Sequence, residues 1–206
     1  MNLTKEQTDV LLEVCNIGMS KAAKQLSVLL NGPVFLNNPT IESLGKQEFI
    51  EYQLAQDNSL MSMVHQKLDR DFDGHAVLVF KRDYTARLLE AVLGEIPNLN
   101  AEEIRSCEQE AMLEIGNIVI SSCVTAMANM LSKKVGLTVP NYYEGTLKAI
   151  LSKDNPLLTD HLSSVFLLST VMSTEKGNFS GRLMMFVSLD SINAILKAVN
   201  KMLGIK

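Results

Sequence analysis

Asp9-Val10-Leu11-Leu12-Glu13-Val14-Cys15-Asn16 has a second rendering in the same chain, Glu110-Ala111-Met112-Leu113-Glu114-Ile115-Gly116-Asn117. In both, an acid, a Glu and an Asn stand at i, i+4 and i+7, which sets all three on one face of a helix. Each Asn is followed by twenty-two residues and then a proline, Pro39 in one case and Pro140 in the other. The same polar helix face with the same downstream proline, written twice, points to two copies of a site on a repeated fold.

The flanking sequence repeats the same order of elements. Thr4-Lys5-Glu6-Gln7 is a capping box and predicts a helix to about Leu30, stopped by Asn31-Gly32-Pro33. Asn100-Ala101-Glu102-Glu103 is a similar start, with a helix expected to about Lys133. Each helix leads into a strand region holding the motif proline. Pro lacks an N–H, so Pro39 and Pro140 belong at a strand start, an edge or a bulge.

Two more strands follow in each half, near Leu60–Lys67 and His75–Phe80 and then near Ser163–Met172 and Arg182–Val187. Phe72-Asp73-Gly74 answers to Phe179-Ser180-Gly181. Leu88-Leu89-Glu90-Ala91-Val92 in a closing helix answers to Ile195-Leu196-Lys197-Ala198-Val199. Gly94 and Gly204 are placed as C-caps. The closing segments keep a longer offset than the motif helices, so the second half carries extra residues, assigned to the polar stretch Ser152–Asp160.

The expected fold class is α+β: a duplicated α-β-β-β-α unit forming one continuous antiparallel sheet, pseudo-twofold symmetric, with the long helices packed on it. Residues 1–206 form a single domain of two repeats, about 1–99 and 100–206. Val10, Leu11, Val14, Ile17 and Leu26 supply the first apolar stripe, and Met112, Leu113, Ile115, Ile120 and Met127 the second.

Composition narrows the function. With 19 Lys and Arg against 23 Asp and Glu, the net charge is −4 and no basic tract is present, so neither nucleic acid nor acidic lipid is an expected partner. The N-terminus is polar and no apolar run is read as membrane-spanning. The three cysteines, Cys15, Cys107 and Cys123, lack CxxC spacing, which fits a cytoplasmic protein with reduced thiols. His65, His75 and His161 are scattered, so metal ligation is not expected, and all three are placed at strand or loop surfaces.

A single Glu and Asn on a helix face are by default a solvated surface. Asn gains nothing mid-helix by propensity, and two such pairs with matched prolines in otherwise diverged sequence weigh against accident. Asp9 and Glu110 have the additional ordinary reading of acids near a helix N-terminus, and Pro39 and Pro140 are structural. Gly18 and Gly116 each weaken a helix by roughly 1 kcal/mol relative to Ala, so each is read as allowing close approach of a strand or a partner.

Asn cannot be a general base. Its amide can hold a water in line with an electrophile, as a Gln does in GTP hydrolysis, while a Glu can anchor a partner's Lys. No Ser-His-Asp set, reactive-Cys context, P-loop or Gly-rich dinucleotide loop is present. A carboxylate and an amide alone suit a protein that completes another protein's active site.

With these residues in view, the paired Asp/Ser-x3-Glu-x2-Asn-x22-Pro pattern resembles the signature of the CheC/CheX/FliY phosphatases of bacterial chemotaxis. Glu13-Val14-Cys15-Asn16-Ile17-Gly18 and Glu114-Ile115-Gly116-Asn117-Ile118 look like the family's helix cores. Two copies without an added C-terminal module look most like CheC. The resemblance implies hydrolysis of the phospho-aspartate of a CheY-like response regulator, with Asn16 and Asn117 positioning water and Glu13 and Glu114 contacting a regulator Lys. Asp9 and Glu110 would touch the partner. The chain would need no cofactor of its own, because the regulator brings Mg²⁺. CheD, the deamidase that CheC proteins often pair with, enters as a second candidate partner that no residue pattern here specifies. Met19-Ser20-Lys21-Ala22-Ala23 replaces the Gly/Ala/Asn-rich continuation typical of CheC, and Glu110 replaces the usual Asp or Ser. A non-catalytic adaptor for a regulator or CheD is the alternative, and a structural part of the flagellar motor a weaker third.

Overall fold

Both long helices begin at side-chain caps. In the computed structural model, which describes residues 3–45, 48–49, 59–93, 100–146, 149, 162–175 and 177–205, α1 spans Lys5–Leu29. The Thr4 hydroxyl accepts from the Gln7 N–H at 3.2 Å, and Gln7 Oε1 accepts from the Thr4 N–H at 2.9 Å. The second long helix repeats this with Asn100 and Glu103, where Glu103 Oε2 accepts from the Asn100 N–H at 2.8 Å. Both helices also end alike. Asn31 (φ 48°) and Ser132 (φ 52°) take the left-handed conformation. The next N–H then reaches back to Ser27 O and Ala128 O respectively, which satisfies carbonyls the last helical turn leaves open.

After α1 come β1 (Phe35–Gly45), β2 (Leu60–Arg70), β3 (Gly74–Lys81) and α2 (Arg82–Leu93). The second long helix, α3 (Ala101–Met130), is followed by β4 (Val135–Leu137), β5 (Asn141–Thr146), β6 (Leu162–Thr174), β7 (Gly177–Ser188) and α4 (Leu189–Met202). Gly204 (φ 69°) closes α4, as its C-cap reading required. Gly94, Ser152–Asp160 and His161 lie outside the described residues.

The strands form one antiparallel sheet in the order β1-β6-β7-β3-β2, with β4 and β5 both on the outer edge of β2. This order is unchanged when the halves are exchanged: the first strand of each half pairs with the second strand of the other. The central β3–β7 pair is self-matching, since Gly74 opposes Val187 and Phe80 opposes Gly181. The hairpins differ in length. Residues 69–73 connect Leu68 to its partner Gly74, whereas residues 171–180 connect Thr170 to Gly181. The β6–β7 hairpin is thus the longer of the two and carries part of the extra length of the second half.

The four helices just named all contribute to one buried cluster on one face of the sheet, with Val64, Leu68, Leu78, Phe166, Leu183 and Met185 from the strands. Leu11, Val14, Leu26, Met112, Ile115, Ile120 and Met127 are buried as expected, and Val10 and Leu113 are partly buried. Ile17 departs from its expected core place and is 48% exposed, beside Asn16. The opposite face carries a second cluster in which Phe49 stacks edge-on against Phe186 at 5.6 Å. Helix α3 is long and apolar enough to cross a membrane by length and composition, contrary to the sequence expectation. Here it lies against α1 and the sheet, where its apolar face is covered.

Two close approaches of the long helices depend on glycine. A Cβ on Gly18 would stand 2.7 Å from the Cys123 Cα, so α1 and α3 touch backbone to backbone there. A Cβ on Gly116 would meet the Val64 side chain at 2.5 Å, so α3 is seated on β2 at that point. One glycine thus admits a helix and the other a strand.

Candidate functional site

Asp9, Glu13 and Asn16 are exposed on α1, and Glu110 and Glu114 are exposed on α3, while Asn117 is half-buried. Among the described residues none of the four acids is in an ion pair. The helix dipole accounts for neither outer acid, because Asp9 and Glu110 both lie beyond the first turn, where that effect fades. Both helices thus present two carboxylates and an amide toward the outside.

The prolines take positions that the missing N–H explains. β1 is an edge strand, and its ladder slips between Asn37↔Val171 and Thr40↔Ser169, so that residues 38–39 oppose one residue of β6. Pro39 lies in this bulge. Pro140 lies in the interruption between β4 and β5, which pair β2 up to Leu137↔Leu68 and again from Asn141↔His65 with the same one-residue slip. The two breaks sit at matching places in the two halves.

The break at Pro140 has a consequence for the second motif. Gln66 of β2, only 2% exposed, points to the helix face beside Val64 and Leu68. Its Nε2 donates to Thr138 O at 2.8 Å and to Asn117 Oδ1 at 3.2 Å. Thr138 also receives Lys67: its Oγ1 accepts from the Lys67 N–H at 2.9 Å. Asn16 has no such contact among the described residues. Gln66 and Thr138 escaped notice in the sequence, where the available signal was a polar residue in phase with two apolar ones that face a core.

Around the motif residues the structure is tied by a second polar cluster. Arg82, at the start of α2, grips Glu108 of α3 at 2.6 and 3.2 Å and Glu144 of β5 at 3.1 Å. The hydrogen bonds that Arg82 donates to Glu108 raise the Arg82 pKa further, so the guanidinium is permanently charged. Behind it the Tyr142 hydroxyl donates to Ser62 Oγ at 3.1 Å, and burial raises the phenol's pKa. These contacts hold the N-terminal turns of α3 against the sheet edge. Between α1 and α3, beyond the motif residues, lies an open groove of about 530 Å³ lined by Lys21, Lys24, Gln25, Ser121 and Ser122.

Cys15 and Cys123 are buried, and desolvation raises both thiols, Cys15 to about 12, so neither is a thiolate nucleophile. Among the described residues no three of His, Cys, Asp and Glu converge as a metal site. His65 and His75, placed at the surface from the sequence, are instead buried and joined, His65 Nε2 to His75 Nδ1 at 2.8 Å. They sit diagonally on neighbouring strands, on the face away from the long helices, where alternation turns Met63 and Val77 inward as well. Burial and the neighbouring imidazole lower the His65 pKa to about 4.

The CheC-like family matches over residues 109–144, the stretch from the second motif helix through Pro140 into β5. Over the whole chain the fold is similar to that of FliY from Thermotoga maritima, at 19% identity and TM-score 0.76 over 98% of this chain and 99% of that one. It is also similar to FliM from H. pylori in the FliM–SpeE complex, at 12% identity and TM-score 0.66 over 97% of each chain. A third likeness is to the CheX–CheY–BeF3–Mg²⁺ complex from Borrelia burgdorferi, at 15% identity and TM-score 0.52 over 86% of this chain and 97% of that one. The second motif thus falls within the segment that matches the CheC-like family, and the fold from end to end is similar to that of FliY.

Proposed function

We propose that this protein hydrolyses the phospho-aspartate of a CheY-like response regulator, with Asn16 and Asn117 each holding the attacking water and Glu13 and Glu114 each contacting a regulator Lys. The observation that carries the reading is the placement of two Glu/Asn pairs, three residues apart, on outward faces of α1 and α3. The likeness of fold to CheX in its complex with CheY supports the choice of partner.

In this reading the regulator supplies the phosphoryl group and its Mg²⁺, and this chain supplies geometry. Water attacks phosphorus, the bond from phosphorus to the aspartyl oxygen breaks with its electron pair passing to the carboxylate, and phosphate leaves. An amide aimed at the water removes the entropy of finding the in-line approach, a contribution of several kcal/mol in well-oriented systems. Asp9 and Glu110 lie a turn before each Glu and extend the contact with the regulator. Pro39 and Pro140 act structurally through the strand breaks. The protein then works in the cytoplasm as one domain of two repeats, and CheD is a further partner to test.

A second reading is a non-catalytic adaptor, favoured by the likeness to FliM. The decay of a phosphorylated CheY-like regulator with and without this protein separates the two. Faster decay at substoichiometric protein is the expected result. Binding without any change in decay would establish the adaptor.

A further inference from the structure

The two motif amides do not have the same surroundings. Thr138 O can only accept, so the Gln66 group 2.8 Å from it must be the NH₂. The other hydrogen of that NH₂ faces Asn117, so the Asn117 atom it meets at 3.2 Å must be the oxygen. A backbone carbonyl thus orients one side-chain amide, which orients the next. Asn117 is left with Oδ1 turned inward and Nδ2 turned outward. The carbonyl that begins this chain is available because the β4–β5 ladder is interrupted beside Pro140. Gly116 contributes by letting α3 come down onto Val64, two residues from Gln66 on the same face of β2.

Among the described residues the first half has no equivalent. Counted from the central β3–β7 pair, the β6 position that answers to Gln66 is Leu168; counted from the bulge in β1, it is Thr170. Neither side chain carries an amide. Asn16 is exposed and its side chain has no hydrogen bond among the described residues.

We infer that Gln66 is a positioning residue for Asn117, so that the two sites differ: the α3 site holds its amide in one orientation before a partner arrives, and the α1 site orders its amide only on binding. The inference deepens the phosphatase reading and rests on it for its catalytic half. A preset amide spares the ordering entropy at the moment of reaction. It also fixes polarity, since Asn117 offers a donor outward, and its oxygen is already engaged.

The test pairs a structural readout with a kinetic one. Gln66→Met keeps the length and volume of the side chain and removes both hydrogen bonds, and Gln66→Thr reproduces a residue that the other half carries. Side-chain amide NMR of the unliganded protein is expected to show an ordered Asn117 NH₂ and a mobile Asn16 NH₂. Gln66→Met and Gln66→Thr should bring Asn117 to the mobility of Asn16. Regulator decay is then measured in the Asn16→Ala background, where only the α3 site acts, and in the Asn117→Ala background. We expect a drop in turnover of about tenfold from Gln66→Met in the first, with regulator affinity unchanged, and none in the second.

Equal mobility of the two amides in the parent overturns the proposal whatever the kinetics. So does an equal loss in both backgrounds, which marks a general structural defect, and so does no loss in the first. A parent protein that accelerates no decay overturns the phosphatase reading and the catalytic half with it, and the NMR result then decides the ordering alone.

Discussion

Gly18 and Cys123 set the separation of the two long helices, with no room for a side-chain carbon between the Gly18 Cα and the Cys123 backbone. Because both motifs ride on these helices, this contact governs how the two polar faces lie toward a partner. Ala in place of Gly normally gains a helix about 1 kcal/mol. Here the added methyl meets backbone at 2.7 Å, which cannot rotate away. We expect Gly18→Ala to destabilise the protein by about 1–3 kcal/mol net, the range of overpacking. Urea denaturation should show a lower midpoint at unchanged slope. A stability equal to the parent's would mean that the helices can slide apart freely.

The two asparagines should act as independent sources of the same activity. Asn16→Ala with Asn117→Ala is expected to reduce stimulated regulator dephosphorylation by about 10²-fold, as for misplaced reacting groups, with the circular dichroism spectrum retained. Each single variant should keep the fraction owed to the other site. Glu13→Ala and Glu114→Ala should weaken regulator binding as well as turnover. A double asparagine variant that matched the parent's rate would dismiss water positioning by these residues.

Acid should loosen the sheet through the buried histidine pair. The His65 pKa is depressed from 6.5 to about 4 in the folded protein, so the unfolded chain binds the extra proton in that interval. Stability is therefore full above pH 6.5 and is lost as pH falls toward 4, to the extent of roughly 2 kcal/mol. Thermal melts across this range should decline more steeply for the parent than for His65→Leu, which cannot take up the proton. Parallel slopes would assign the acid loss to carboxylates alone.

Arg82 faces a buried partner, since Glu108 is 5% exposed. Removing one member of such a pair leaves an unmatched charge, which costs about 3–5 kcal/mol. We expect Arg82→Met to lower stability by about that amount at neutral pH. Adding Glu108→Gln should recover a large part of it. Failure of the double variant to recover would show that the guanidinium's bond to Glu144 matters more than the charge of Glu108.

The elements that follow from local chemistry were legible in the sequence. Thr4 with Gln7 and Asn100 with Glu103 mark both helix starts because a cap is a contact within four residues. Pro39 and Pro140 announced breaks in strand pairing for the equally local reason that they lack a donor. The outward placement of Glu13, Asn16 and Glu114 followed from helical spacing. What could not be read depends on contacts across the sheet. Gln66 meets Asn117 across fifty-one positions and Thr138 across seventy-two. His65 and His75 stand ten positions apart, and the sequence between them gave no hint of a shared hairpin face. Ile17 has the character of a core residue, yet the turn of α1 that carries Asn16 outward takes Ile17 with it.

The exchange of first strands between the halves carries a consequence for how the chain is made. β1 pairs only with β6 in the described sheet, and its partner residues 164–173 are synthesised more than a hundred positions later. A nascent chain that has released α1, β1, β2 and β3 holds one strand with no neighbour to accept it, and contacts of such sequence separation make folding slow. The first half thus waits as an incomplete sheet with open edges until the second emerges, and a ribosome stalled near residue 150 would expose a sticky intermediate to chaperones. Two halves expressed as separate chains should, by the same logic, be poorly soluble apart and find each other when made together.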